Sequence, residues 1–280
     1  MAHYTELPLQ TPKMMYVLEW ESVSRNRTTQ RVVFRDEGGE QRSMADRPWG
    51  PQHLPIDGHQ HAYVRGGSGE PLLLIHGITT SSFIWDSLLP ILGVRHDVIA
   101  VDLLGTGDSD RPVPADCSLA AHAERLVVFI DKLDLDRVHL VGHDIGGGVA
   151  QIVSVRNPHR VATLGLVNTV GYDYWPVQPI VAFRTPILRQ LAMASLDLGM
   201  LRLVIRRAVH RRERITPEIF ASIRKEIAEP KSRRAFLNST RCLNNSDLTV
   251  IADALKELPE NSRFMPSVGY VRSKNRAASP

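Results

Sequence analysis

The chain has 280 residues, 43% of them hydrophobic, and a formal net charge of +4. That length suits one large domain or a domain with an insert, and the apolar content excludes a disordered chain. The basic residues gather in 202–214 and after residue 260 with no accompanying nucleic-acid-reading motif, so no nucleic-acid partner is expected.

In chain order, residues 1–53 read as an extension of uncertain order. "MYVLEWESV" and "RVVF" suggest short strands, and "RDEGGEQRSMADRPWGPQ" reads as loop. From residue 54 the pattern sharpens. "HLPIDGHQHAYVRGG" alternates around an Asp-Gly pair, which predicts a hairpin. "PLLLIHG" and "DVIAVDLLG" are buried-type strands, with helical spacing in "SSFIWDSLLPIL" between them. "SLAAHAERLVVFIDKL" predicts a helix capped by Ser118. "RVHLVGHD" then reads as strand, "GGGVAQIVSVRNP" as helix and "VATLGLVN" as strand. Apolar strands alternating with helices predict a mostly parallel sheet covered on both faces. Ligands of such sheets bind at the carboxyl ends of the strands, which puts His76, Asp102, Asp144 and Asn168 in view.

Residues 172–235 are helix-forming, rich in Leu, Ile and Met, and punctuated by Pro; they read as an inserted helical unit. A membrane-surface helix at 186–211 is the rival reading there. "SRRAFLNSTRCLNNSDLTVIADALKEL" adds two helical stretches, the second capped by Ser246 or Asp247, and residues 236–259 return to the core. Residues 260–280 read as an atypical tail without Asp, Glu or His after Glu260. Two cysteines, Cys117 and Cys242, make no disulfide framework and have no metal-ligand spacing, so they read as inert thiols and no metal is expected. No apolar run approaches the roughly 20 residues of a membrane span, and no secretion-signal pattern opens the chain; the expectation is a cytoplasmic protein. Oligomeric state is not legible.

"LVGHDIGGG" carries the chemistry. A strand-to-helix turn of the form Gly-x-nucleophile-x-Gly throws its central side chain out at the end of a sheet, and flanking glycines leave room for it. Gly142 and Gly146 flank Asp144 here. The rival reading makes Asp144 a helix N-cap. A carboxylate in that place attacks carbon directly and forms an ester on the protein; a base is needed only to activate the water that cleaves it. Asp102 reads as a brace for the loop "DLLGTGDSD", whose glycines lack dinucleotide-binding spacing.

"LLLIHGITTSSFIW", "VIAVDLLGTGDSDRP" and "VHLVGHDIGGGVAQ", in that order, resemble the α/β-hydrolase superfamily. The aspartate resembles the branch of epoxide hydrolases, haloalkane dehalogenases and fluoroacetate dehalogenases. The resemblance covers residues 54–258. It implies an α/β-hydrolase core over 54–171, a helical cap over 172–235, and no metal or organic cofactor. It further implies that Asp144 is the nucleophile and that the backbone N–H groups of Ile78 and Ile145 form an oxyanion hole. His76, Gly77, Gly142, His143 and Gly146 would be its scaffold, and Tyr172, Tyr174 and Asp173 are minor candidates. The chain departs from familiar members at Ile145, where many carry Trp or Arg, at Ile78, where dehalogenases often carry Asn, and at Thr79, where epoxide hydrolases commonly carry Pro.

The resemblance also implies an acid after a later strand and a histidine near the C-terminus. After Asp144 the only histidines are His159, in a far-end turn, and His210, among arginines. The expectation is a hydrolase fold incomplete at its C-terminal end, through a frameshift or truncation near residue 260 or as a pseudoenzyme. It would act through an aspartyl ester on a small apolar epoxide or organohalide, with turnover in doubt. The alternative is a non-catalytic remnant or binding protein. A sheet short of its last strands would expose an apolar edge and be marginally stable.

Overall fold

The computed structural model describes residues 15–24, 27–35, 49–173, 180–209, 212, 215–258 and 263–264. Tyr174, His210, most of the loop expected before Trp49, and residues 265–280 lie outside them. Strands β1 (Met15–Ser24) and β2 (Arg27–Arg35) pair antiparallel in a sheet of their own.

The main sheet begins with β3 (Gln52–Ile56) and β4 (His59–Gly67), the expected hairpin. Its two turn residues, Asp57 and Gly58, have φ of 50° and 76°, the pair of positive values that an Asp-Gly hairpin turn supplies. Then follow β5 (Glu70–Ile75), β6 (His96–Val101), β7 (Val138–His143), β8 (Val161–Val167) and β9 (Arg263–Phe264). They lie in the order β3-β4-β6-β5-β7-β8-β9, antiparallel at β3, β4 and β6 and parallel from β6 onward. Strand period sorts the core into two faces. Leu73, Ile75, Ile99 and Val101 pack on one side, and Leu72, Leu74, Val98 and Ala100 on the other.

The first face is covered by α2 (Leu119–Lys132), capped as expected by the Ser118 hydroxyl accepting the Ala121 N–H, and by α3 (Ile145–Arg156). The second is covered by Trp85, Leu89 and Trp49. The expected helix over "SSFIWDSLLPIL" is instead a 3-10 turn at Ser82–Trp85 and a separate α1 (Leu89–Leu92). Pro90 has no N–H for the carbonyl of Asp86, so one helix cannot run through. Trp49 corrects the loop reading of its segment: it is a core residue, 8% exposed. Its indole occupies the space a Cβ at Gly66 would need.

After β8 comes a helical layer: a 3-10 turn at Ile180–Arg184, α4 (Pro186–Ser195), a π turn at Leu196–Met200, α5 (Leu201–Ala208), α6 (Pro217–Ala228) and α7 (Pro230–Cys242). It has its own cluster of Phe183, Met193, Leu201, Ile205, Ile227 and Phe236. α7 runs through residue 235, where the sequence reading set the return to the core. α8 (Ser246–Thr249) and α9 (Ala252–Lys256) follow. Neither Ser246 nor Asp247 caps α8; Asn245 holds that position. Asp247 instead accepts the Ala120 N–H at 3.4 Å, which ties α8 to the first turn of α2. The tail reading also needs correction at Arg263–Phe264, which pair with Gly165 and Leu166 of β8. Two residues with one apolar member are too short for any periodicity to reveal. None of the described helices is long and apolar enough to cross a membrane.

Candidate active site at the β7–α3 turn

Asp144 stands between β7 and α3 with φ 53° and ψ −121°, a strained conformation that persists only where neighbours fix it. They do so through its backbone. Its N–H donates to Val167 O, and its carbonyl accepts from the N–H groups of Gly147 and Val170 and from the Thr169 hydroxyl. The glycines are needed for close approach. A Cβ on Gly142 would lie 2.5 Å from Gly147 Cα and 2.6 Å from Gly146 C, and one on Gly146 would lie 2.6 Å from Ile75 O. Gly77 passes just as near: a Cβ there would be 2.6 Å from Asp144 Cβ and 2.9 Å from His143 Nδ1.

The Asp144 side chain makes no cap hydrogen bond to α3. Its Oδ2 accepts the Ile78 N–H at 2.9 Å. Burial raises the pKa of this carboxyl; the Ile78 N–H, the neighbouring His143 and the Ile145 N–H pull it back down. Of the two N–H groups singled out in the sequence, that of Ile78 donates to the Asp144 carboxylate.

His76 is fully buried, and both ring nitrogens are engaged: Nε2 accepts the Leu103 N–H at 3.0 Å and Nδ1 lies 2.8 Å from Gly77 O. An accepting Nε2 leaves the proton on Nδ1. The ring therefore ties the loop after β5 to the loop after β6. Burial lowers the pKa of His76 and of His143, and His143 Nδ1 has no hydrogen-bond partner among the described residues. Asp102 is a brace, as expected: its carboxylate accepts the Ser82 N–H at 2.6 Å and the Asp108 N–H at 2.9 Å.

Beside the turn lies a cavity of about 20 Å³, lined in part by Ile78, Leu103, His122, Ile145, Glu226 and Phe236. Tyr172 and Asp173 are exposed in the turn after β8 and do not line it; His159 is exposed beyond α3. The sequence reading missed His122 and Glu226. His122 is 3% exposed on the buried face of α2, between Leu119 and Leu126, so the apolar spacing of that helix is the signal that marks it. Glu226, 6% exposed on α6, accepts from the Gly107 N–H and from Arg111 Nη2, both at 3.2 Å. Burial raises its pKa, and Arg111 and the Gly107 N–H oppose that. Among the described residues no cluster of His, Cys, Asp and Glu is arranged to hold a metal.

A family model described as the alpha/beta hydrolase fold matches residues 70–264. An uncharacterized protein of Mycobacterium tuberculosis is 40% identical over 152 residues, which is 54% of this chain and 42% of that protein. A haloalkane dehalogenase of Sphingobium indicum is 35% identical over 134 residues, 46% of this chain and 45% of that enzyme. The chain thus spans less than half the length of these curated relatives. A crystal structure of an alpha/beta hydrolase fold protein from Burkholderia ambifaria superposes with a TM-score of 0.66 at 25% identity, over 76% of this chain and 77% of that one.

Proposed function

Because the chain belongs to the alpha/beta hydrolase fold family, we propose that Asp144 is a carboxylate nucleophile that opens a small, largely apolar epoxide or organohalide and holds it as an ester. The observation that carries this reading is the Ile78 N–H on Asp144 Oδ2. An oxygen already held by a backbone donor is the one that becomes the ester carbonyl oxygen, and the same donor stabilises the charge it gains when water attacks. The other carboxylate oxygen attacks carbon, and the carbon–oxygen or carbon–halogen bond breaks with its electron pair going to the leaving atom. The dehalogenase among the relatives agrees with this chemistry. The apolar side chains of Ile78 and Ile145 offer no N–H to a departing halide, which favours the epoxide.

Turnover is the weak step. Water attack on the ester needs a base. His76 has both nitrogens engaged, and burial holds the pKa values of His143 and His122 low. These features support a protein that reacts once and keeps the ester. The experiment is intact-mass measurement after incubation with a terminal epoxide and, in parallel, an alkyl bromide. The expected result is a gain of one substrate mass that Asp144→Ala abolishes. No mass gain with either probe would favour the non-catalytic binding reading. Steady release of diol or alcohol would mean that a base is at work.

A further inference from the structure

Cys117 and Cys242 are 125 positions apart in sequence, yet the fold brings them to one amide. Cys117 precedes Ser118, the cap of α2, and Cys242 is the last residue of α7. Asn238, one turn earlier on α7, donates Nδ2–H to Ala115 O at 2.7 Å. The same nitrogen lies 3.6 Å from Cys117 Sγ and 3.9 Å from Cys242 Sγ. Cys242 Sγ is also 3.5 Å from Ala115 O, so it sits against the very loop that carries Cys117. Those contacts, laid end to end, bound the separation of the two sulfurs. Closing that gap to a bond of about 2 Å requires the Asn238 amide to swing aside and the end of α7 and the loop before α2 to draw together.

We propose that Cys117 and Cys242 form a reversible disulfide that staples the end of α7 to the loop before α2 when the protein meets a small-molecule disulfide. The two thiols have unequal access, which sets the order of events. Cys117 is 3% exposed and Cys242 is partly exposed. Burial also raises the pKa of Cys117, so its thiolate is scarce. Cys242 is the entry point. Its sulfur attacks the oxidant's disulfide and forms a mixed disulfide, releasing one small thiol. Cys117 then attacks the Cys242 sulfur and releases the second thiol. The balance is one oxidant disulfide and two protein thiols giving one protein disulfide and two small thiols. Each proton lost by a cysteine ends on a departing thiolate. Inert thiols, the reading from sequence, describe either cysteine alone but not the pair.

The staple has a structural consequence. Phe236 and Ser239 of α7 line the cavity beside Ile145, so the bond fixes one wall of the candidate site to the core. It needs nothing from Asp144.

The test is incubation of the full chain with 4,4′-dithiodipyridine, followed by intact mass and non-reducing electrophoresis. Wild type is expected to end about 2 Da lighter, with no adduct, as a monomer that dithiothreitol restores. Peptide mapping is expected to find Cys117 linked to Cys242. Cys117→Ser is expected to stop at a stable adduct on Cys242, and Cys242→Ser to stay unmodified in the folded state. Asp144→Ala is expected to oxidise like wild type. A wild-type chain that keeps adducts on both cysteines, links into dimers or does not react overturns the proposal.

Discussion

His61 and His122 are 4% and 3% exposed, and burial drives their pKa values from 6.5 to about 4 and about 3, respectively, with Arg125 adding to the effect in both. Both rings are therefore neutral in the native protein at neutral pH. The unfolded chain takes up protons at these positions near pH 6.5, while the folded chain resists. Stability is then lost as pH falls below 6.5, and for His61 the loss levels off near its folded value of about 4. For His61 the loss on reaching pH 4 is on the order of 3 kcal/mol. The raised carboxyls of Asp144 and Glu226 work the other way, favouring the protein in acid and losing that contribution as pH rises through their folded values. Difference measurements separate the two. The urea midpoint of wild type is expected to drop between pH 7 and pH 4.5, and that of His61→Gln to drop less. Equal drops in both would sink the argument. The same residue scale explains why His122 escaped notice in the sequence. A lone histidine on an apolar helix face looks like packing, and only the presence of Glu226 and Phe236 on the same cavity marks that face as a cavity wall.

At the scale of elements, the turn from β7 to α3 is tightly constrained. Gly142→Ala would drive a methyl into Gly146 and Gly147 backbone, which has no rotamer with which to yield. The expected cost is about 3 kcal/mol or more, as for other overpacked sites. Chemical denaturation checks it; a loss under about 1 kcal/mol would mean that the turn is looser than its geometry implies. This junction was legible because its constraint is local: strand period, glycines and a helix start occupy nine consecutive residues. β5 and β6 were legible for the same reason, since their stretches Leu72–Ile75 and Val98–Val101 are buried throughout and apolar at every position. Elements that depend on distant partners were not. β9 exists only because β8 presents an edge to it. Trp49 is buried only because Gly66 and Gly93 leave a bed for its indole. Asp247 spends its carboxylate on the Ala120 N–H of α2, a partner 127 positions away that no local cap pattern announces.

Across the whole molecule, the helical layer and the sheet are joined by a buried ion pair. Arg111 in the loop after β6 meets Glu226 of α6, with side chains 11% and 5% exposed. Removing one partner of such a pair strands the other charge, whereas replacing both often costs little. Glu226→Ala is expected to destabilise the protein by about 3 kcal/mol. Adding Arg111→Met is expected to recover much of that loss, read from denaturant midpoints of the two variants; a double variant no better than the single would mean that no charge was stranded. The cavity under this joint has room for about one water molecule. A guest with several heavy atoms is expected to enter only with an outward shift of α6 and α7, which supply Glu226, Phe236 and Ser239 to the lining. Where that shift is the slow step, the waiting time belongs to the host and not to the visitor. Chemically different guests of similar girth would be admitted at one common pace, and raising their concentration would fill the queue without opening the door any sooner.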